Sequence, residues 1–226
     1  MAADLTINLS TQGVSLSTPL KLLLLLTLLS LAPSLLIMFT SFVRIVIVLA
    51  LIRQAIGTPT IPPNQVIISL ALFLTFYIMF PIFQKIYTDA FVPYIKNEIS
   101  DTQFLQRVEQ PIKEFMLINT QKSTLKVFMD LAKIPPEERT PDKIPMYVLA
   151  PAFLVSEIKT AFEIVFLLYL PFLVIDIVVA TILIGLGVFM LPPTVISLPL
   201  KLMLFVLVNG WELLTLALIK SYSLPK

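Results

Sequence analysis

The chain has 226 residues, of which 58% are hydrophobic and 13% are charged, and its mean hydropathy is +0.95. Globular domains are about 45–50% apolar and about 25% charged, so this composition indicates an integral membrane protein. The net charge of +2 is too small to indicate a nucleic-acid-binding protein. The absence of cysteine and histidine excludes disulfides, thiol and histidine nucleophiles and most transition-metal sites. We therefore expect no cofactor.

The N-terminal part predicts a polar segment followed by a first apolar helical hairpin. Residues 1–18 alternate polar and apolar side chains on both sides of a Thr-Gln-Gly turn, a pattern typical of a short β-hairpin, with a disordered tail as the alternative. The opening MAADLTINLS lacks the basic segment and apolar core of a signal peptide. Residues 19–83 contain two apolar blocks. The first is long enough for either one tilted helix or a broken one, and Pro33 is the expected position of a break.

Residues 84–145 differ in kind from the rest of the chain. They carry 18 of the 30 charged residues, nine acidic and nine basic, and their apolar side chains recur at helical spacing. This segment predicts a small soluble insert of two or three amphipathic helices. The last segment, residues 146–226, is apolar again and predicts a second membrane-type hairpin. The predicted fold class is thus all-α, with long, kinked apolar helices forming hairpins around one soluble helical insert.

The tip of the second hairpin combines flexible backbone with bulky apolar side chains. Glycine weakens a helix by about 1 kcal/mol relative to alanine, and proline cannot continue one. Such a tip fits either a deformable apolar seal or a tight interhelical turn whose side chains are simply packed. We assign Gly185, Gly187, Pro192 and Pro193 as the hinge of the tip, and Phe189, Met190 and Leu191 as the candidate seal.

Four charged residues interrupt the apolar blocks: Arg44, Glu163, Asp176 and Lys201. A charge in hydrocarbon costs a few kcal/mol, so we expect these side chains to be buried in ion pairs that specify assembly. A proton or ion relay is the alternative. Lys159 lies four residues before Glu163, so these two predict an ion pair along one helical face.

Asp176 and Lys201 predict a contact between subunits. With the tip near Leu191, the first lies 15 residues before it and the second 10 residues after it. At 1.5 Å per residue their depths differ by about 7–8 Å, so we expect them to meet poorly within one hairpin. Neighbouring copies staggered along an axis would bring them together.

The residues alone leave three functions open. A channel-forming subunit, a small ion or solute transporter, and an assembly scaffold all fit apolar hairpins with a few inward charges. Catalysis is not expected, because the chain has no phosphate-binding glycine-rich loop and Asp176 has no second aspartate in the apolar blocks.

Four long runs carry a resemblance to a known family. They are LTLLSLAPSLLIMFTSFVRIVIVLALIRQAIGTPTIPPNQV, LALFLTFYIMFPIF, FLVIDIVVA and MLPPTVISLPLKLMLFVLVNGW. From residue 20 onward the chain resembles the FliP/SctR family of type III export-gate proteins. The GTPTIPPNQV and LPP-x-x-ISLP patterns are closer to the flagellar branch than to the injectisome branch.

The resemblance implies a structural, non-enzymatic subunit of the flagellar protein export gate. It implies that several copies, about five, join the FliQ and FliR subunits, and also FlhB, in a helical assembly around a central channel. Unfolded flagellar proteins would pass through this channel. The expected location is the bacterial inner membrane and its periplasmic side, within the flagellar basal body, with residues 84–145 in the periplasm. The resemblance also implies that the tip seals the channel and that Asp176 and Lys201 lie between subunits.

Overall fold

A computed structural model describes residues 20, 22, 23, 26, 27, 30 and 37–225. The chain divides into residues 1–36 and residues 37–226. The six described residues of the first unit are helical, and the described part of the second unit is helical without a strand. The predicted all-α class is confirmed. The predicted β-hairpin in residues 1–18 and the break at Pro33 lie outside the described residues.

Helix α1 (Phe42–Ile56) is the centre of the second unit. It packs against the two longest helices, and its side chains Ile45, Val48 and Leu49 are fully buried. The helix ends at Gly57, whose φ of 96° lies in the left-handed region that glycine adopts without strain. The Arg53 guanidinium then donates to the Pro62 carbonyl oxygen at 2.7 Å and holds the proline-rich loop that follows.

Helix α2 (Asn64–Ile86) continues through a π-helical turn (Tyr87–Phe91) into a last α-helical turn (Val92–Ile95), so one helical segment runs over Asn64–Ile95. The predicted start of the insert at residue 84 therefore falls inside a helix. The charges that set this boundary in the sequence lie on exposed side chains such as Lys85 and Asp89, which a helix accommodates on its outer face.

The insert is helical, as predicted, and it shares the core of the unit. It consists of α3 (Asp101–Asn119), α4 (Lys122–Leu131) and a 3-10 turn (Pro136–Glu138). Ser100 and Gln103 form a capping box that begins α3. The buried Phe115 ring packs edge-on against Phe153 of the next long helix, 5.9 Å between ring centroids. The buried side chains of the insert therefore pack against the membrane-type helices and form one core with them.

Helix α5 (Met146–Gly185) has 40 residues and is about 60 Å long, twice the thickness of a bilayer's hydrocarbon core. It forms a hairpin with α6 (Pro193–Leu207), which bends by 63° into α7 (Gly210–Lys220). Asn209, at a φ of 51°, stands at the bend.

Two helices in the described part of the chain are long and apolar enough to cross a membrane: Asn64–Ile95 and Met146–Gly185. A third span is possible if the bent pair α6 and α7 counts as one. Helix α1, at 15 residues as described, is shorter than the roughly 20 residues that a span needs.

Candidate functional site

The tip of the α5–α6 hairpin is a short loop with a defined backbone. Helix α5 ends in a Schellman motif, in which the Val188 amide donates to the Leu183 carbonyl oxygen at 2.9 Å. The Gly187 amide donates to the Ile184 carbonyl oxygen at 3.0 Å, and Gly187 has a φ of 74°. Of the predicted hinge residues, Gly187 is thus the one whose backbone requires glycine.

The other predicted hinge residues have different roles. Gly185 is the last residue of α5, and a Cβ there would have no heavy atom within 4 Å. Pro192 precedes α6 and Pro193 is its first residue, where a proline loses no helical hydrogen bond. Both ends of the loop are therefore fixed by backbone chemistry, and the segment between them is short.

The candidate seal residues project from this loop. Met190 is 96% exposed and Phe189 is 76% exposed, while Leu191 is at 38%. Side chains of this size are normally buried, so their exposure together at the end of a long hairpin leaves them available to another surface. The alternative of a turn with packed apolar side chains does not describe Phe189 and Met190. Their role in sealing a channel stays a prediction.

Asp176 and Lys201 meet within the chain, contrary to the expected misfit. The Lys201 ammonium lies 2.5 Å from an Asp176 carboxylate oxygen and 3.4 Å from the Ala55 carbonyl oxygen of α1. The two side chains meet because the residues of the tip loop are not helical and add little to the depth of either one. Measured from the helix ends at Gly185 and Pro193, the two residues lie nine and eight positions away, at nearly equal depth. A contact of either side chain with a neighbouring copy stays a prediction.

A second ion pair is buried at the other end of α5. Arg44 of α1 bonds to Glu157, and both are almost inaccessible to solvent. The Tyr222 hydroxyl lies 2.6 Å from the second oxygen of the Glu157 carboxylate, to which it donates. The Tyr222 ring lies over the Arg44 guanidinium at 3.9 Å, within cation–π range. Burial raises the pKa of Tyr222 well above its ordinary value, so the hydroxyl keeps its proton.

The expectation that Glu163 is buried is wrong for this chain. Its side chain is about half exposed and lies 4.0 Å from Lys159, as the spacing of the two residues predicts. The buried acid is Glu157, about one and two-thirds turns earlier on α5. Six positions along a helix correspond to a rotation of 600°, or 240° after one full turn, so the two carboxylates point to different sides. An apolar run that surrounds both of them gives no sign of which one faces the core.

Sequence reasoning missed Glu157 and Tyr222. Glu157 interrupts an apolar run as Glu163 does, and this pattern marks both as unusual without indicating that Glu157 is the one that is fully buried. Tyr222 carried no signal, since it follows the last helix in a short polar tail. Among residues 37–225 and the six described before them, no group of three acidic, histidine or cysteine side chains could hold a metal ion.

Known proteins of one family match most of this chain. A sequence model described as the FliP family matches residues 24–218. The chain belongs to the FliP family. It is 61% identical over 204 residues to the flagellar biosynthetic protein FliP of Aquifex aeolicus (strain VF5), covering 90% of this chain and 85% of the relative.

Two further relatives carry the same name. The flagellar biosynthetic protein FliP of Pectobacterium carotovorum is 50% identical over 210 residues, or 93% of this chain and 81% of the relative. The flagellar biosynthetic protein FliP of Bacillus subtilis (strain 168) is 49% identical over 213 residues, which cover 94% of this chain and 96% of the relative. The chain is thus a protein of flagellar biosynthesis and export, and its long apolar helices are of the membrane-spanning type.

Proposed function

We propose that this FliP-family chain is a channel-forming subunit of the flagellar type III protein export gate, and that its tip loop seals the channel. The observation that carries the proposal is the exposure of Phe189 and Met190 on a loop fixed at the end of a 40-residue apolar helix. Hydrophobic constrictions close pores by excluding water. Flexible apolar side chains on a fixed backbone could part for an unfolded polypeptide and close behind it.

The apolar surface of α5 supports assembly with further membrane proteins. Phe166 and Leu167 are about two-thirds exposed near the middle of the helix, and Val174 and Ile177 are more than half exposed further along. Since α5 is about twice as long as the hydrocarbon core is thick, lipid alone does not cover it. Several copies of the chain, about five, with FliQ, FliR and FlhB would cover this surface and surround a channel.

The ion pairs argue against a transporter. Arg44 with Glu157 and Asp176 with Lys201 are neutralised inside the chain, and Glu163 pairs with Lys159 on the surface. A relay needs groups that exchange protons or ions along one path, whereas these charges hold helices together. The finer location, at the inner membrane and its periplasmic side within the basal body, is part of the proposal, as is the non-enzymatic role.

The test replaces the tip side chains and measures both export and leak. Phe189→Ala with Met190→Ala in one chain removes the bulk of the seal, and we expect faster ion leak across the membrane with export of flagellar proteins retained. The matched control is Leu207→Ala at the opposite end of α6, where the side chain is also about three-quarters exposed. An unchanged leak with the tip variant, or an equal rise with the control, contradicts a sealing role.

Assembly is tested separately. We expect native mass spectrometry of the chain, co-expressed with FliQ and FliR, to give a defined multimer that contains them. A stable monomer indifferent to these subunits contradicts the channel proposal. Ion flux through the purified chain alone would favour the transporter instead.

A further inference from the structure

The last described residues of the chain, Ser221–Pro225, are not helical, yet they are bound to the body of the protein. They follow α7 (Gly210–Lys220) and include the buried side chain of Tyr222, which is 8% exposed. We call Ser221–Leu224 the strap. Segments outside helices and strands commonly lie on the surface and are mobile, so the contacts that hold the strap call for a physical reason.

The strap supplies hydrogen-bond acceptors to one terminal nitrogen of the Arg44 guanidinium, whose Nε has no partner among the described residues. One guanidinium nitrogen donates to the Ser221 carbonyl oxygen at 2.8 Å and lies 3.1 Å from the Ser221 hydroxyl. The second terminal nitrogen bonds to Glu157, and the Tyr222 ring covers the plane of the guanidinium. Without the strap, Glu157 would be the one partner of Arg44 that remains from this set. Burial of a guanidinium whose N–H groups have no acceptor costs free energy. The strap lowers this cost because it supplies acceptors to Arg44.

The strap also joins α1 and α3, two helices that are distant in sequence. The Tyr222 hydroxyl lies 2.9 Å from the Ser41 carbonyl oxygen, where α1 begins. The Tyr222 ring stacks on Phe115 of α3, with 6.0 Å between the centroids. Asn119, at the end of α3, exchanges two hydrogen bonds with the backbone of Ser223, at 2.9 and 3.1 Å.

We propose that Ser221–Leu224 is a closing strap, which seats only on the assembled bundle of α1, α3 and α5 and then holds the insert against the membrane-type helices. Its binding surface consists of Arg44 from α1, Glu157 from α5 and Asn119 from α3, and no one of these helices supplies it alone. Because the strap follows α7, the Arg44–Glu157 pair gains its contacts with Ser221 and Tyr222 only when α7 is in place.

The chain offers a direct probe of the seated strap. It contains no cysteine, so a single introduced thiol can be followed without background. Ser41 is fully buried beside Tyr222, and its hydroxyl has no hydrogen-bond partner among the described residues. Ser41→Cys therefore replaces a small buried group with another of similar size and loses no hydrogen bond. Ser197→Cys is the matched control, a serine 1% exposed on α6 and outside the strap contacts.

The experiment measures labelling of each thiol by a charged maleimide in the full-length chain, purified in detergent. Tyr222→Ala, or deletion of residues 221–226, is combined with each cysteine variant. We expect the strap variants to raise the labelling rate at position 41 about tenfold or more, with the rate at position 197 unchanged, because the opening is local. Tyr147→Ala, which removes an exposed tyrosine at the start of α5, should change neither rate.

Two results overturn the proposal. Slow labelling at position 41 in every variant shows that the strap does not cover this site. An equal rise at positions 41 and 197 shows that the tail supports the whole fold and is not a local strap. Hydrogen exchange tests the second half of the claim: Tyr222→Ala should increase exchange in α3 and leave α6 as it was, and unchanged α3 would refute the link to the insert. These assays use the isolated chain, so their outcome does not depend on the sealing role of the tip.

Discussion

The Asp176–Lys201 ion pair predicts that its two partners are unequal in their contribution to stability. The Lys201 side chain is 8% exposed and the Asp176 side chain is 29% exposed. The test variants are Asp176→Asn and Lys201→Met, each of which keeps most of the volume of the original side chain. Either change breaks the pair, but the group left behind differs in its access to water.

The structure gives the expected magnitudes. Asp176→Asn leaves a buried ammonium with the Ala55 carbonyl oxygen at 3.4 Å, and removal of one partner from a buried pair costs about 3–5 kcal/mol. We take about 3 kcal/mol, which for a chain of this size lowers the midpoint of thermal unfolding by about 6–12 °C. Lys201→Met leaves a carboxylate that is partly exposed, with its Oδ1 buried, so the cost falls to about 1–2 kcal/mol.

The assay is thermal unfolding of the purified chain in detergent, followed by circular dichroism. Lys159→Met is the matched control, because it breaks an exposed ion pair on the same helix and should cost less than about 0.5 kcal/mol. The double variant of Asp176→Asn with Lys201→Met should recover part of the loss, since no unpaired charge remains. Equal losses for the two single variants, or a larger loss for Lys201→Met, would refute the reasoning from exposure.

Mixed expression separates a contact within the chain from a contact between copies. If the pair forms within each chain, cells that carry one copy with Asp176→Asn and another with Lys201→Met cannot form it in either. We then expect export of flagellar proteins in the mixed cells to be no higher than in cells that carry only one of the two variants. Restored export in the mixed cells would show that the two side chains pair across neighbouring copies.

Three further predictions concern the hairpin tip and the bend between α6 and α7. Gly187→Ala should destabilise the chain by about 1–2 kcal/mol because the φ of Gly187 is +74°. Gly185→Ala should be neutral or stabilising by up to about 1 kcal/mol. The midpoint of thermal unfolding should therefore fall with the first variant and stay the same or rise with the second. Gly210→Ala would place a Cβ 2.3 Å from the rigid Phe205 ring, so we expect a loss of about 1–3 kcal/mol by the same measurement, and no loss would contradict the packing at the bend. Met190→Ala should leave the unfolding midpoint unchanged because the side chain is 96% exposed, and a clear drop would show that it packs within the chain.

Local patterns in the sequence determined the class of the protein and the position of its tip. Apolar runs long enough to span a bilayer can be read directly, because the number of residues sets the length of a helix. The backbone at Gly187 and the stop at Pro192 and Pro193 follow equally from chemistry within a few residues. The start of the insert at residue 84 stays a prediction; it falls inside the helical segment Asn64–Ile95, because charge on one face does not end a helix.

The tertiary structure alone decided which charges pair. Arg44 and Glu157 are 113 residues apart, and nothing between them indicates that they meet, or that Tyr222 from the last residues of the chain closes over both. The contact between Asp176 and Lys201 depends on where α5 and α6 end, and a change of a few residues in the tip would move it by half a helical turn. Pairing across a fold depends on the positions of whole helices, and a linear pattern of residues does not contain those positions.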